Sequence, residues 1–148
     1  MSASMKNTPE PPVNVVPQAS GRLRRARFLC LVVDDGASNQ LALAELIEDD
    51  DLDVVTAGSV PEALGVLHER AVDLVVTEEY LPGARGSELL ETVRARWPNV
   101  GRVLIGRELG ADVIIQAVNR ARVQRVLHKK MSAQSLRAEI DAALNETL

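Results

Sequence analysis

The chain has one cysteine, three aromatic residues and no long apolar run, and each shortage excludes a class of function. With Cys30 alone there is neither an internal disulfide framework nor a multi-cysteine zinc site. Cys30 lies within Phe28-Leu29-Cys30-Leu31-Val32-Val33 and reads as a buried, inert thiol. Phe28, Tyr80 and Trp97 are the only aromatics, too few for a platform that stacks single-stranded bases, so aliphatic residues must fill the core. No stretch approaches the roughly 18 apolar residues of a membrane span. The N-terminus has no basic segment followed by an apolar core, so no signal peptide is expected and the chain reads as cytoplasmic, without a membrane partner. A net charge of −4 gives no overall attraction to DNA or to anionic lipid.

What is present suits one domain: 148 residues, 46% of them hydrophobic. Residues 1–26 hold Pro9, Pro11, Pro12 and Pro17 with few large apolar side chains, and read as a flexible tail. The tail ends in Arg22-Leu23-Arg24-Arg25-Ala26-Arg27, either a solvated lead-in or a docking site for an acidic partner. From residue 27 to 148, apolar runs and helical patterns alternate. The runs Phe28–Val33, Val54–Ala57, Leu74–Thr77, Val103–Ile105 and Val123–Leu127 are nearly continuous, as in parallel strands covered on both faces. Helices are expected at about 38–48, 60–70, 87–96, 111–120 and 133–144. Ala42, Leu43, Leu46 and Ile47 should form the buried face of the first. Ser59-Val60-Pro61-Glu62 is a capping box with an early proline, Ser132 a helix N-cap, and Trp97-Pro98 a helix stop. The expected fold is α/β: a doubly wound five-stranded parallel sheet, (βα)5.

In such a sheet functional groups gather at the carboxyl ends of the strands. There the sequence places Asp34-Asp35, Glu78-Glu79, Gly106, and His128-Lys129-Lys130. Carboxylates beside one ammonium form either a magnesium site or a charge-balanced network. Val32-Val33-Asp34-Asp35, Val72-Asp73-Leu74-Val75-Val76, the segment from Leu81-Pro82-Gly83 through Gly86 to Leu90, and Lys129 together resemble the receiver domain of bacterial response regulators, the CheY-like module of two-component systems. The resemblance covers about residues 27–144. It implies a flavodoxin-like fold and signalling by phosphoryl transfer to an aspartate at the end of the third strand.

Carried over residue by residue, the resemblance makes Asp34 and Asp35 the acidic pair, Lys129 the phosphate-pairing lysine and Glu78, four residues before Pro82, the residue at the phosphoacceptor position. Four departures follow: Glu78 for aspartate, Gly106 for a hydroxyl residue, Val126 for the switch aromatic, and Lys130 for the proline after the lysine. The reading is a degenerate, stand-alone pseudo-receiver acting as a phosphorylation-independent protein-interaction module. Glu78 is expected to pair with Lys129, and Glu79 to point elsewhere. The alternatives are a receiver still phosphorylated at an atypical residue, or one held active by a phosphomimetic Glu78. Asp34, Asp35 and Glu78 offer hard oxygen ligands for weak Mg2+ binding. The interaction surface is expected around Arg120, Arg122, Arg125, Val126 and Lys130, with Arg102 and Arg107 nearby. Its partner would be a signalling protein or a second copy, and not nucleic acid. No Gly-x-x-x-x-Gly-Lys loop or activated Ser or Cys signature supports an enzyme. His68 reads as surface, and His128 as a rim residue.

Overall fold

The computed structural model describes residues 15–17, 23–25 and 27–147. Two short strands, β1 (Val15–Pro17) and β2 (Leu23–Arg25), pair antiparallel within the proline-rich segment. The rest of residues 1–26, and so most of the expected tail, lies outside the described residues. Then come β3 (Phe28–Val33), α1 (Ala37–Ile47), β4 (Leu52–Ala57), α2 (Val60–Glu69), β5 (Leu74–Glu78), the small hairpin β6 (Tyr80–Leu81) and β7 (Ala84–Arg85), and α3 (Gly86–Arg96). The chain closes with β8 (Gly101–Gly106), α4 (Ala111–Gln116), a π-helical turn (Ala117–Ala121), β9 (Arg125–His128) and α5 (Ala133–Thr147).

The central sheet is parallel in the order β4-β3-β5-β8-β9, the doubly wound arrangement with its switch point between β3 and β5. Alternate residues of one strand feed two cores. Leu29, Leu31 and Val33 of β3 join Leu89, Leu90, Val93 and Ala117 on one face. Cys30 and Val32 join Ile47, Ile140 and Ala143 on the other. Each fully buried Leu or Ile contributes roughly 1.5–3 kcal/mol.

The caps follow the sequence. Ser59 Oγ accepts the N–H of Glu62, and the Glu62 carboxylate reaches back to the N–H of Gly58. Ser132 Oγ accepts the N–H of Ser135, and Trp97 closes α3. Gly83, at φ +69°, follows Pro82 in the two-residue loop of the β6–β7 hairpin, where the left-handed conformation suits glycine.

Three expectations need correction. On α1 only Ile47 is fully buried; Leu43 and Leu46 are half-buried and Ala42 is exposed, because α5 covers just the C-terminal part of that face. The fourth helix does not run to Arg120 as a regular α-helix: it widens into the π-helical turn and stops at Arg122, whose φ is +50°. The last strand therefore starts at Arg125 and not at Val123.

Candidate functional site

Four elements deliver side chains to the carboxyl edge of the sheet. Asp34 follows β3, Glu78 ends β5, Gly106 ends β8 and Lys129 follows β9. The ladder fixes these positions, since Glu78 lies opposite Ile105 and Gly106 opposite His128. The Lys129 N–H also bonds the Gly106 carbonyl at 2.9 Å.

Lys129 Nζ lies 2.8 Å from Asp34 Oδ2 and 2.6 Å from Glu78 Oε1. Burial alone would lower its pKa, but the hydrogen bonds and charges of Asp34 and Glu78 outweigh it and raise the pKa above the ordinary lysine value. The remaining carboxylate oxygens are engaged as well. Asp34 Oδ1 accepts the Gly36 N–H at 2.9 Å, and Glu78 Oε2 accepts the N–H of Glu79 at 2.7 Å. Asp35 is exposed and faces an open cleft of about 730 Å3 with Asn39, Tyr80, Arg107, Glu108 and Lys130. The cluster thus unites Asp34, Glu78 and Lys129, with Gly106 against Glu78 and Asp35 outside the ion-pair network.

Glu79 plays a part the sequence did not disclose. It is completely buried, and its carboxylate accepts from the N–H of Ser87 (2.9 Å) and from Ser87 Oγ (3.1 Å), with Arg85 3.5 Å away. A carboxylate there caps the amino end of α3 and faces its positive dipole. Neighbouring carboxylates on one strand end therefore serve opposite sides, one the rim and one the helix. The close approach behind them requires glycine at position 86, where a Cβ would stand 2.0 Å from the Glu78 carbonyl oxygen.

The response regulator receiver domain pattern matches residues 30–141. The chain belongs to the response regulator receiver family. It is 34% identical over 99 residues to the hydrogenase transcriptional regulatory protein HoxA of Cupriavidus necator, covering 67% of this chain and 20% of that protein. It is 31% identical over 114 residues to the chemotaxis protein CheY of Pseudomonas aeruginosa, covering 75% of this chain and 91% of that one. The signal receiver domain of an HD domain-containing protein from Pseudomonas fluorescens superposes with a TM-score of 0.79 at 27% identity, over 84% of this chain and 91% of the other. The receiver spans about a fifth of the hydrogenase regulators it matches.

Lys129 Nζ already supplies the cation shared by Asp34 and Glu78. Both oxygens of Asp34 and of Glu78 already accept from nitrogen donors, and Asp35 is turned to solvent. Among the described residues no three acidic, histidine or cysteine side chains converge as a metal cluster.

The basic surface is divided. Arg125 is held by Glu139 and Glu146 of α5 at 2.8 and 2.6 Å, hydrogen bonds that raise its pKa. Arg102 is buried, Val126 half-buried, and Arg107 and Lys130 line the acidic cleft. Arg120 and Arg122 remain exposed. Arg27 donates to the Asp49 and Asp50 carbonyls and pairs with Asp53, so the end of the tail's basic run is engaged within the receiver. Arg22 and the side chains of residues 23–25 lie outside the described residues. His68 is exposed against Trp97, and His128 Nδ1 accepts the Lys130 N–H. Among the described residues no helix is long and apolar enough to cross a membrane.

Proposed function

We propose that this receiver is a phosphorylation-independent protein-interaction module in two-component signalling, with Glu78 fixed at the position where the family carries its phosphoacceptor aspartate. The observation that carries this reading is the way Glu78 is held. Oε1 is held by Lys129 at 2.6 Å and Oε2 by its neighbour's N–H at 2.7 Å, which fixes the carboxylate in one conformation at the rim. The glutamate arm is also one methylene longer than aspartate, and misplacement of about an ångström can cost on the order of 10²-fold in rate. Gly106 offers no hydroxyl to a phosphoryl group, Val126 no aromatic rotor, and Lys130 replaces the proline expected after the lysine. A phosphomimetic Glu78 would meet the same silence at Gly106. No enzymatic turnover is proposed.

The docking face lies along α4, the π-helical turn and β9. Ile115 and Val118 are 58% and 50% exposed there, beside the exposed Arg120 and Arg122. An apolar pair flanked by cations suits a signalling partner with an acidic, partly apolar surface, or a second copy of the receiver.

The test is a ¹H–¹⁵N titration with magnesium and then beryllofluoride. Amides at residues 34, 78, 106 and 111–130 are expected to stay in place. Concerted shifts at the rim and along α4 would show a working phosphoryl switch and overturn the reading.

A further inference from the structure

Near the amino edge of the sheet, well away from the acidic rim, Arg94, Arg102 and Arg120 line one recess of about 480 Å3, together with Glu91, Ala95 and Pro98. The three arginines come from α3, the second residue of β8 and the π-helical turn. Arg102 is 94% buried by its 6% exposure. Its Nε donates to the Ala121 carbonyl (2.8 Å), Nη1 to the carbonyls of Val100 (2.7 Å) and Pro98 (3.4 Å), and Nη2 to that of Arg122 (3.1 Å). These contacts fix the guanidinium without neutralising it, since every acceptor is an uncharged carbonyl. One of its five N–H donors is left over.

None of the three arginines forms an ion pair among the described residues. Burial, and then the charge of Arg94, hold the Arg102 guanidinium below its ordinary pKa. The one carboxylate in the recess, Glu91, accepts from Gln116 Nε2 at 2.8 Å and offsets only one of the three positive charges. A buried cation usually has a counter-charge. Here the structure supplies the cations and a space beside them, in a protein whose net charge is −4.

We propose that this recess binds a phosphate-type oxyanion, carried either by inorganic phosphate or by a nucleotide. Guanidinium forks match the oxygen spacing of a phosphate and grip it with charge-assisted, paired hydrogen bonds. Arg94 Nη1 already donates to the Arg120 carbonyl at 2.9 Å. A bound oxyanion would strengthen that link between α3 and the turn carrying Val118. The site is independent of Glu78, and it shares Arg120 with the proposed docking face.

The full chain is titrated with sodium phosphate, and separately with ATP without magnesium, against sodium chloride at matched ionic strength, while arginine Nε–Hε signals are followed. Saturable shifts at Arg94, Arg102 and Arg120 are expected, with at least ~10-fold weaker binding in Arg94→Ala and in Arg120→Ala. Both side chains are exposed, so these variants should fold. Arg107→Ala, at the acidic cleft, should leave the affinity unchanged. ATP binding more tightly than phosphate identifies the nucleotide as the source; equal affinity identifies the free anion. Shifts no larger than with chloride, affinity unchanged in both recess variants, or loss of binding in Arg107→Ala would each overturn the proposal.

Discussion

Lys129 and Glu78 form the shortest link between β9 and β5 at the rim, with Nζ 2.6 Å from Oε1. The strands themselves are not neighbours, since β8 lies between them. Where they would span it, the middle strand ends in Gly106, which has no side chain to interpose. The pair therefore clamps three strand ends, and Asp34 extends the clamp to β3.

Removing the cation should expose its importance. Lys129→Met leaves Asp34 and Glu78 without their shared cation, with side chains only 5% and 12% exposed. Loss of about 1–3 kcal/mol is expected in urea unfolding. Adding Glu78→Gln should restore part of it, so the double variant is less destabilised than the two single losses combined. Simple additivity would mean that the clamp carries no coupling.

The same clamp predicts a pH profile. Lys129 has a folded-state pKa raised above 10.5. Its contribution is thus complete below the unfolded value and lost as pH rises through the folded one. The urea-midpoint difference between wild type and Lys129→Met should hold steady from pH 7 to 10 and shrink above that. Cys30 lowers stability over the same alkaline range, because burial, helped by the charge of Asp73, pushes its thiol from 9.0 to about 12. That effect is common to both proteins and cancels in the difference.

Cys30 also gives a direct chemical readout. A fully buried thiol with a pKa near 12 holds almost no thiolate at pH 8. Alkylation by iodoacetamide should be negligible in buffer and rapid in 6 M guanidinium. Labelling in buffer at the denatured rate would contradict the described packing of β3 between its two helical layers.

Much of this was legible in the residues, for identifiable reasons. Continuous runs such as Phe28–Val33 mark strands buried on both faces, and Ser59 and Ser132 announce local caps that depend on neighbours three residues away. The Glu78–Lys129 pair followed from strand ends placed on one rim. The burial of Glu79 did not, because its partner Ser87 lies eight residues on, across a hairpin, and only three-dimensional closure brings them together. Arg102 was misplaced on the surface for a similar reason. A cation two residues into a strand is counted as exposed until the carbonyls of Ala121 and Arg122 are seen to turn towards it. The π-helical turn left no periodic trace, since one widened turn changes the register by less than the pattern resolves.

Gly86 should tolerate no side chain. An alanine Cβ would lie 2.0 Å from the Glu78 carbonyl oxygen and 2.9 Å from Thr77 Oγ1. The first of these atoms is backbone and cannot swing aside. Gly86→Ala should cost about 3 kcal/mol in denaturant unfolding. Gly83→Ala, with open space around it but φ at +69°, should cost about 1 kcal/mol from backbone strain alone.

Rebuilding the missing hydroxyl tests how deeply the rim is committed to its present form. A Cβ at Gly106 would meet Leu109 at 2.6 Å and Glu78 Oε2 at 3.2 Å. Leu109 is half-buried in an exposed stretch and can swing outward, so Gly106→Ser should fold at a cost of about 1–2 kcal/mol. With Glu78 retained, the new hydroxyl is expected to donate to Oε2 and bind the glutamate more firmly, leaving the protein unresponsive to beryllofluoride. In Glu78→Asp with Gly106→Ser, the carboxylate withdraws by one methylene and its contact with Lys129 is loosened. Magnesium-dependent beryllofluoride shifts are then expected at residues 34, 78 and 106, while amides of 111–122 move little because Val126 cannot act as an aromatic relay. Strong shifts along α4 in that double variant would mean that the relay does not need an aromatic side chain in β9.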